Sequence, residues 1–521
     1  MTAATDVARA TAGVPAAPAS ILRSVVTTYS ARFATLVAFL VLLPVVLQSV
    51  GADAYGLYAL TVALGAIFQQ DLGIGDATTR FIAVARPAGD LDRMRRTAAA
   101  SAGFSLAAAV VMGAGVAVAL VLAVAAADVP APLDTTARIL VALGVANVFL
   151  LLAMSPHRQV LAGIGRIDDV NLVLIGQAAM RIVLTLAVCA LGWGIVAVAV
   201  VDVAATLALG GATLWLRRRR MPGLVVRLRD FRWDAFRELF SMSAQLLVIG
   251  LSAVVITQVG SVLTALLLPI AFATLFAAAQ RMYLVVKEVT GSLATALLPI
   301  ASLRHGEGAV GSQRELYLSG TGYANMLMTI VLVPAVLFMP TIMQAWIGAD
   351  GAAAALVAQI LILSLFANNN HLLALPVLTA QGRVRAFAVL HATWAVSGTV
   401  LAAILGATMG LPGIALGIAL PVIALEPIYV WVVLRRIGAT AREFLARCLA
   451  RPLLPALPLA VVLVVATAAT RPGFALAATL SAAWAVALAA VYVLFDPPAR
   501  AAARRLVRPG RSAPTHEENS A

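Results

Sequence analysis

Charge is the scarcest property of this 521-residue chain. Asp, Glu, Lys and Arg make up 12% of it, about half the share in a soluble domain. Lysine is nearly missing: Lys287 stands alone, and arginine carries every other fixed side-chain cation. There are two cysteines, Cys189 inside an apolar run and Cys448 in a polar stretch. The span pattern described below puts them on opposite sides of a membrane, so a structural disulfide is not expected, and neither sits in a metal-ligand spacing. A Walker-type phosphate loop is also missing, so the chain is not expected to hydrolyse ATP. Long polar loops are lacking on one side of every apolar run. The longest, near Pro340–Ala353, holds about a dozen residues and leaves no room for a catalytic domain outside a membrane.

Apolar residues dominate instead, at 62%, with a mean hydropathy of +0.99. At about 20 residues per span, this composition describes an all-α polytopic membrane protein. We place fourteen spans, running from 29–49 to 475–495 and including a second at 57–79, an eighth at 270–299 and a tenth at 353–378. The net charge of +14 is spread over span ends rather than over one groove-matched face, which argues against nucleic acid. One side of the membrane receives Arg86, Arg93, Arg95 and Arg96, then His157, Arg158 and Arg166, then Arg217–Arg220. The same side later receives Arg304 and Arg314, Arg383 and Arg385, Arg435 through Arg451, and Arg500 through Arg511. The other side holds Arg138 and Arg471. By the positive-inside rule both termini are cytoplasmic. Ala52-Asp53-Ala54 resembles a signal-peptide cleavage site, but the preceding run from Phe33 to Val50 exceeds an h-region of about 7–15 residues.

The chain repeats itself. Gly163-Ile164-Gly165-Arg166 precedes the fifth span and Ala380-Gln381-Gly382-Arg383 precedes the eleventh. The small-residue turns Gly192–Ile195 and Gly410–Ile414 follow those spans, and basic clusters close both units. An even number of spans separates the copies, which predicts two parallel six-helix lobes related by a pseudo-two-fold axis along the membrane normal. The expected layout has a disordered cytoplasmic tail at 1–26 and an N-terminal lobe at 27–220. An amphipathic linker follows at 221–240, then a C-terminal lobe at 241–436, an additional helix pair at 437–496 and a basic tail at 497–521. In the linker, Trp233, Phe236 and Phe240 alternate with charge, which suits a helix on headgroups or one packed on the lobes.

Ionisable residues at mid-span carry the functional signal, since each costs about 2.5–3.5 kcal/mol at a helix centre even on the lenient scale. Arg181 lies in the fifth span. Arg281, Lys287 and Glu288 lie in the eighth, where seven residues put Arg281 and Glu288 on one face about 10 Å apart. We expect Arg181, Arg281 and Lys287 to line a cationic cavity between the lobes; the competing reading is a set of inter-helix ion pairs, with Glu288 against Lys287 or Arg281. Asp76 and Arg80, four apart in the second span, suit a pair. Arg80, about 35 Å along that helix from Leu57, lies near the headgroups and is the weaker cavity candidate. Arg32 reads as an ordinary inner-end anchor. Asp71, Asp202 and Glu426, with Asp76 and Glu288, are the acidic groups open to coupling or ion pairing. Asn368-Asn369-Asn370-His371 is a polar break that either meets sugar hydroxyls or satisfies a kink near Pro376. His391 reads as a packed, hydrogen-bonded residue. Gly73, Gly75 and Gly291 permit close helix packing or a hinge.

One stretch organises these residues. It contains Tyr55-Gly56-Leu57-Tyr58, then Gln69-Gln70-Asp71-Leu72-Gly73-Ile74-Gly75-Asp76 and Arg80, and it closes on Gly89-Asp90-Leu91-Asp92-Arg93-Met94-Arg95-Arg96. It resembles the second membrane helix of bacterial polysaccharide flippases. These are translocators of O-antigen, capsule and exopolysaccharide oligosaccharides, in the superfamily of the multidrug antiporters and the peptidoglycan-precursor flippase. The resemblance implies an inner-membrane protein of lipopolysaccharide or related pathways, not an enzyme, that moves an undecaprenyl-diphosphate-linked oligosaccharide by alternating access. Membrane lipids and the polysaccharide polymerase and chain-length machinery are its implied partners. No cofactor is implied, and a proton or sodium ion is the implied coupling ion. The rivals are a small-molecule antiporter of the same fold, a membrane glycan polymerase or ligase, and a structural scaffold.

Overall fold

The computed structural model describes residues 18–495 apart from 70–72, 128, 225, 227–229, 235, 238–243, 307–309, 376–377 and 379–384. Every regular element among the described residues is helical. The first half comprises α1 (Pro18–Val50), α2 (Ala52–Phe68), α3 (Ile74–Ala85), α4 (Leu91–Ala126), α5 (Asp134–Gly163), α6 (Ile167–Ala190) and α7 (Gly194–Arg220). The second comprises α8 (Ala244–Leu267), α9 (Ala271–Gly306), α10 (Val310–Leu337), α11 (Met339–Ile347), α12 (Gly351–Leu372), α13 (Arg385–Met409) and α14 (Leu411–Ile437). After these come the single turn α15 (Ala441–Phe444), a π-helical stretch at Leu445–Ala450, α16 (Arg451–Thr470) and α17 (Phe474–Phe495).

Twelve of the described helical segments are long and apolar enough to cross a membrane. The other two expected spans are the second and the eighth. The second is not one helix: α2 stops at Phe68, and Gly73, at φ +75°, caps α3 in the left-handed region that favours glycine. Two shorter helices thus stand where one span was expected, and Ile74, Gly75 and Asp76 of the polar run form the first turn of the second of them. The eighth is α9, whose first eighteen residues hold Arg281, Lys287 and Glu288. Large apolar side chains such as Val111, Leu122, Val183 and Val462 lie exposed on the outer helix faces, where hydrocarbon replaces water. Inside, small polar pairs such as Ser101 with Gln159 (3.2 Å) and Thr206 with Asn147 (2.6 Å) join helices.

The two halves share one packing order. In the first, α1 packs on α6, α6 on α7, α7 on α5, α5 on α4, and the broken α2–α3 on α5. In the second, α8 packs on α13, α13 on α14, α14 on α12, α12 on α10, and α9 on α12. Helix for helix this is the same bundle twice, as the sequence repeat predicts. The added pair α16–α17 packs on α10, with Trp484 Nε1 donating to the Ile330 carbonyl at 3.0 Å. In the linker, Phe231 abuts Gly103 and Phe236 stacks on Phe104, whereas Trp233 is exposed. Phe240 of the linker lies outside the described residues.

Contact between the halves is concentrated at the end opposite the arginine clusters, where α2 packs on α8 and α9. Gly56 makes this possible. A Cβ there would stand 2.1 Å from the Ile270 carbonyl oxygen, so only glycine lets the backbones approach this closely. Thr274 Oγ1 donates to the Ala52 carbonyl at 2.7 Å beside it.

Candidate functional site

Tyr58 on α2 is the centre of a buried polar cluster in the first half. Its hydroxyl donates to Asp202 Oδ2 of α7 at 2.5 Å and accepts from Arg181 Nη2 of α6 at 3.0 Å. Arg181 Nε and Asp202 Oδ1 are 2.7 Å apart but off the hydrogen-bond axis, so that contact is ionic rather than a directed bond. Tyr55 packs edge-on against Tyr58. The turn that joins α6 to α7 sets this geometry: Arg181 precedes Gly192, and Asp202 follows Gly194, by about two to three helical turns each. Mid-span residues whose distances from a tight turn match to within about one helical turn can meet across a helical hairpin, and that spacing is a signal the sequence carries for this pair.

Phe39 of α1 links this cluster to the second half. The Arg281 guanidinium of α9 lies 3.9 Å from its ring centroid, and that of Arg181 lies 5.5 Å from it. Next to Phe39, between α1, α8 and α9, opens a cavity of about 380 Å³. Arg281, Lys287, Glu288, Phe39, Leu36 and Thr257 line it. Glu288 does not pair with its helix neighbours. It accepts from Arg32 Nη1 of α1 at 2.6 Å, an ion pair that joins the two halves across the cavity's edge. Arg281 makes no ion pair among the described residues. Asp202 is committed to Arg181 and Glu288 to Arg32, so Arg281 is the half-buried cavity cation left without a carboxylate among the described residues.

The other expected site residues lie apart. Arg80 is exposed on α3 and does not line the cavity. Asp76 is exposed in the first turn of α3, and Asp71 lies outside the described residues. Glu426 of α14 is buried against His371 of α12 in the second half. Asn369 and Asn370 are buried against Asn325 of α10, where they hold α10 to α12, away from the cavity. His391 is packed between the Phe387 carbonyl and the Tyr429 hydroxyl, each 2.9 Å from Nδ1.

A sequence profile of the polysaccharide biosynthesis protein family matches residues 21–303, more than half of the chain and all of the cavity's lining. The chain belongs to that family. No curated protein matches it. Solved structures place this polysaccharide biosynthesis protein in the fold of the MOP superfamily transporters. The lipid II flippase MurJ, in an inward closed conformation, superposes with a TM-score of 0.70 at 13% identity, covering 94% of this chain and 100% of that one. An inward-facing multidrug resistance MATE transporter superposes with a TM-score of 0.64 at 17% identity, covering 78% and 94%. A MOP superfamily transporter from Pyrococcus furiosus, described by the reverse polarity of its binding pocket, superposes at 0.58 and 17%, covering 80% and 95%. The chain is thus a multi-pass membrane protein of polysaccharide biosynthesis, and its fold neighbours are transporters and flippases.

The Arg181–Asp202 pair has a testable structural cost. Arg181→Ala leaves the Asp202 carboxylate buried and uncompensated, so we expect a loss of about 3–5 kcal/mol. Adding Asp202→Asn removes that charge and restores most of the stability. Thermal unfolding of the detergent-solubilised single and double variants checks this.

Proposed function

We propose that this protein is a flippase that moves an undecaprenyl-diphosphate-linked oligosaccharide from the cytoplasmic to the outer leaflet by alternating access. The observation that carries the reading is Arg281, a cation without an ion-pair partner among the described residues, facing a cavity between the two lobes beside Lys287. A diphosphate needs Arg or Lys to replace the water it sheds, and a planar guanidinium can do so with two parallel bonds. The lipid tail stays in the bilayer while the headgroup enters between α1 and α8–α9.

In this mechanism the arginine-rich ends face the cytoplasm. The packing around Gly56 then closes the outer side, and the Arg32–Glu288 pair is the inter-lobe contact on the cytoplasmic side of the cavity. Headgroup phosphates compete with Glu288 for cations, which loosens that contact. The lobes rock, α2 separates from α8 and α9, and the headgroup leaves outward. A cationic-drug antiporter would need a carboxylate facing the cavity without a partner; Glu288, the acid that lines it, is held by Arg32.

The test is leaflet-resolved. In cells depleted of the protein, lipid-linked oligosaccharides are extracted after intact spheroplasts meet a membrane-impermeant probe. We expect a full-length glycan to accumulate out of the probe's reach, with its mass naming the substrate. Accumulation within reach would move the block to polymerisation or ligation and overturn the reading.

A further inference from the structure

The second half holds a buried ionisable cluster that the cavity mechanism does not use. His371 Nδ1 of α12 lies 2.6 Å from Glu426 Oε2 of α14, with the two side chains 4% and 10% exposed. The His371 ring stacks on Tyr429 at 4.1 Å, and the Tyr429 hydroxyl lies 2.9 Å from His391 Nδ1 of α13. Glu426 Oε1 is buried with no hydrogen-bond partner among the described residues. A carboxylate oxygen in that position is costly as an anion, and a proton on it removes the cost.

Asp202 and Glu426, one mid-span carboxylate in each half, are partnered differently. Asp202 faces a guanidinium, which keeps its proton at any physiological pH, and a tyrosine hydroxyl. That pair is locked. Glu426 faces a histidine, whose ring nitrogen can either give or take a proton. We propose that the His371–Glu426 pair is a proton-exchange site that couples translocation to the proton gradient. At rest the pair shares one proton between Nδ1 and Oε2. Uptake of one proton from water gives an imidazolium beside a carboxylic acid, and its release restores the shared state, with no other bond made or broken. A sodium site would need several convergent oxygens, whereas the nearest groups here are aromatic rings.

The titratable and charged groups facing the pair are Tyr429 of α14, His391 of α13 and Tyr317 of α10, with Lys287 of α9 acting on His391 from the cavity side. Pro421 and Pro427 bracket Glu426 in α14 and remove backbone donors there, so that helix can bend where the charge changes.

The coupling role rests on the translocation reading, but proton exchange can be measured with no glycan present. Infrared difference spectra of the full-length protein in lipid should show a carboxylic-acid band that titrates between about pH 5 and about pH 8. The band should vanish in Glu426→Gln. In His371→Asn, which removes the imidazolium, its midpoint should rise by at least about one pH unit. A wild-type protein with no such band, or a band that survives Glu426→Gln, overturns the site, and the wild-type and His371→Asn spectra decide this even if Glu426→Gln does not fold. In proteoliposomes that move the glycan, a rate independent of an imposed pH gradient would overturn the coupling. Wild-type proteoliposomes that move no glycan but keep the titrating band would instead count against the flippase reading alone.

Discussion

Replacing Arg281 with alanine abolishes glycan export while leaving the protein folded and inserted. Truncating one partner of a buried, hydrogen-bonded charge pair costs roughly 2–5 kcal/mol. At about 1.4 kcal/mol per tenfold, headgroup affinity falls about thirtyfold to several thousandfold. Folding is spared for a structural reason. Among the described residues Arg281 pairs with no carboxylate, so its removal strands no buried anion there, and Phe39 keeps its packing against Arg181. Arg181→Ala shows the opposite profile, since it strands Asp202. Arg281→Lys keeps the charge but loses the planar fork, and export falls between the wild-type and alanine values. Surface expression, thermal unfolding and polysaccharide yield, measured on the same three variants, check the contrast. Normal export by Arg281→Ala at normal expression would favour a structural scaffold role for the chain.

Gly56→Ala is the second large effect. The added Cβ meets the Ile270 carbonyl oxygen at 2.1 Å, a backbone atom that cannot swing away. Overpacking of this kind costs about 1–3 kcal/mol. That cost falls on the state in which α2 rests on α8 and α9, so the population shifts toward separation at that end. Export falls about tenfold or more, because the cycle must pass through the closed state. The check is a Thr274→Cys substitution in a chain whose Cys189 is changed to serine. An impermeant thiol reagent applied outside labels that position faster in Gly56→Ala than in its Gly56 parent. Equal labelling and unchanged export would show that the contact is not a gate.

Much of the fold was legible because hydrophobic length and arginine placement are one-dimensional properties. Runs of apolar residues mark spans, and the matched turns near Gly192 and Gly410 announce a repeat that the common packing order displays. The break in the second span was legible only in part. The polar run 69–76 signals that this helix is unusual, but not that a new helix starts at Ile74 behind a left-handed Gly73. Pairing was harder to read. Glu288 has Lys287 beside it in the chain, yet its partner is Arg32, far away in sequence, because α1 and α9 meet across the lobes. Arg32 reads as a headgroup anchor for the same reason. Phe39 carries no signal in the sequence at all, since one aromatic residue in an apolar helix is ordinary, and only the arrival of two guanidiniums on its ring distinguishes it. His371 reads as part of an asparagine run, and its contact with Glu426 depends on how α12 and α14 face each other.

The most direct test of the central claim is binding of a diphosphate-linked glycolipid to the purified full-length protein, read by native mass spectrometry against a zwitterionic phospholipid of similar mass. The wild-type protein should retain the glycolipid, and Arg281→Ala should lose it by about thirtyfold or more under the same conditions. Equal retention by both proteins, or no preference over the zwitterionic lipid, would contradict a cationic headgroup site between the lobes.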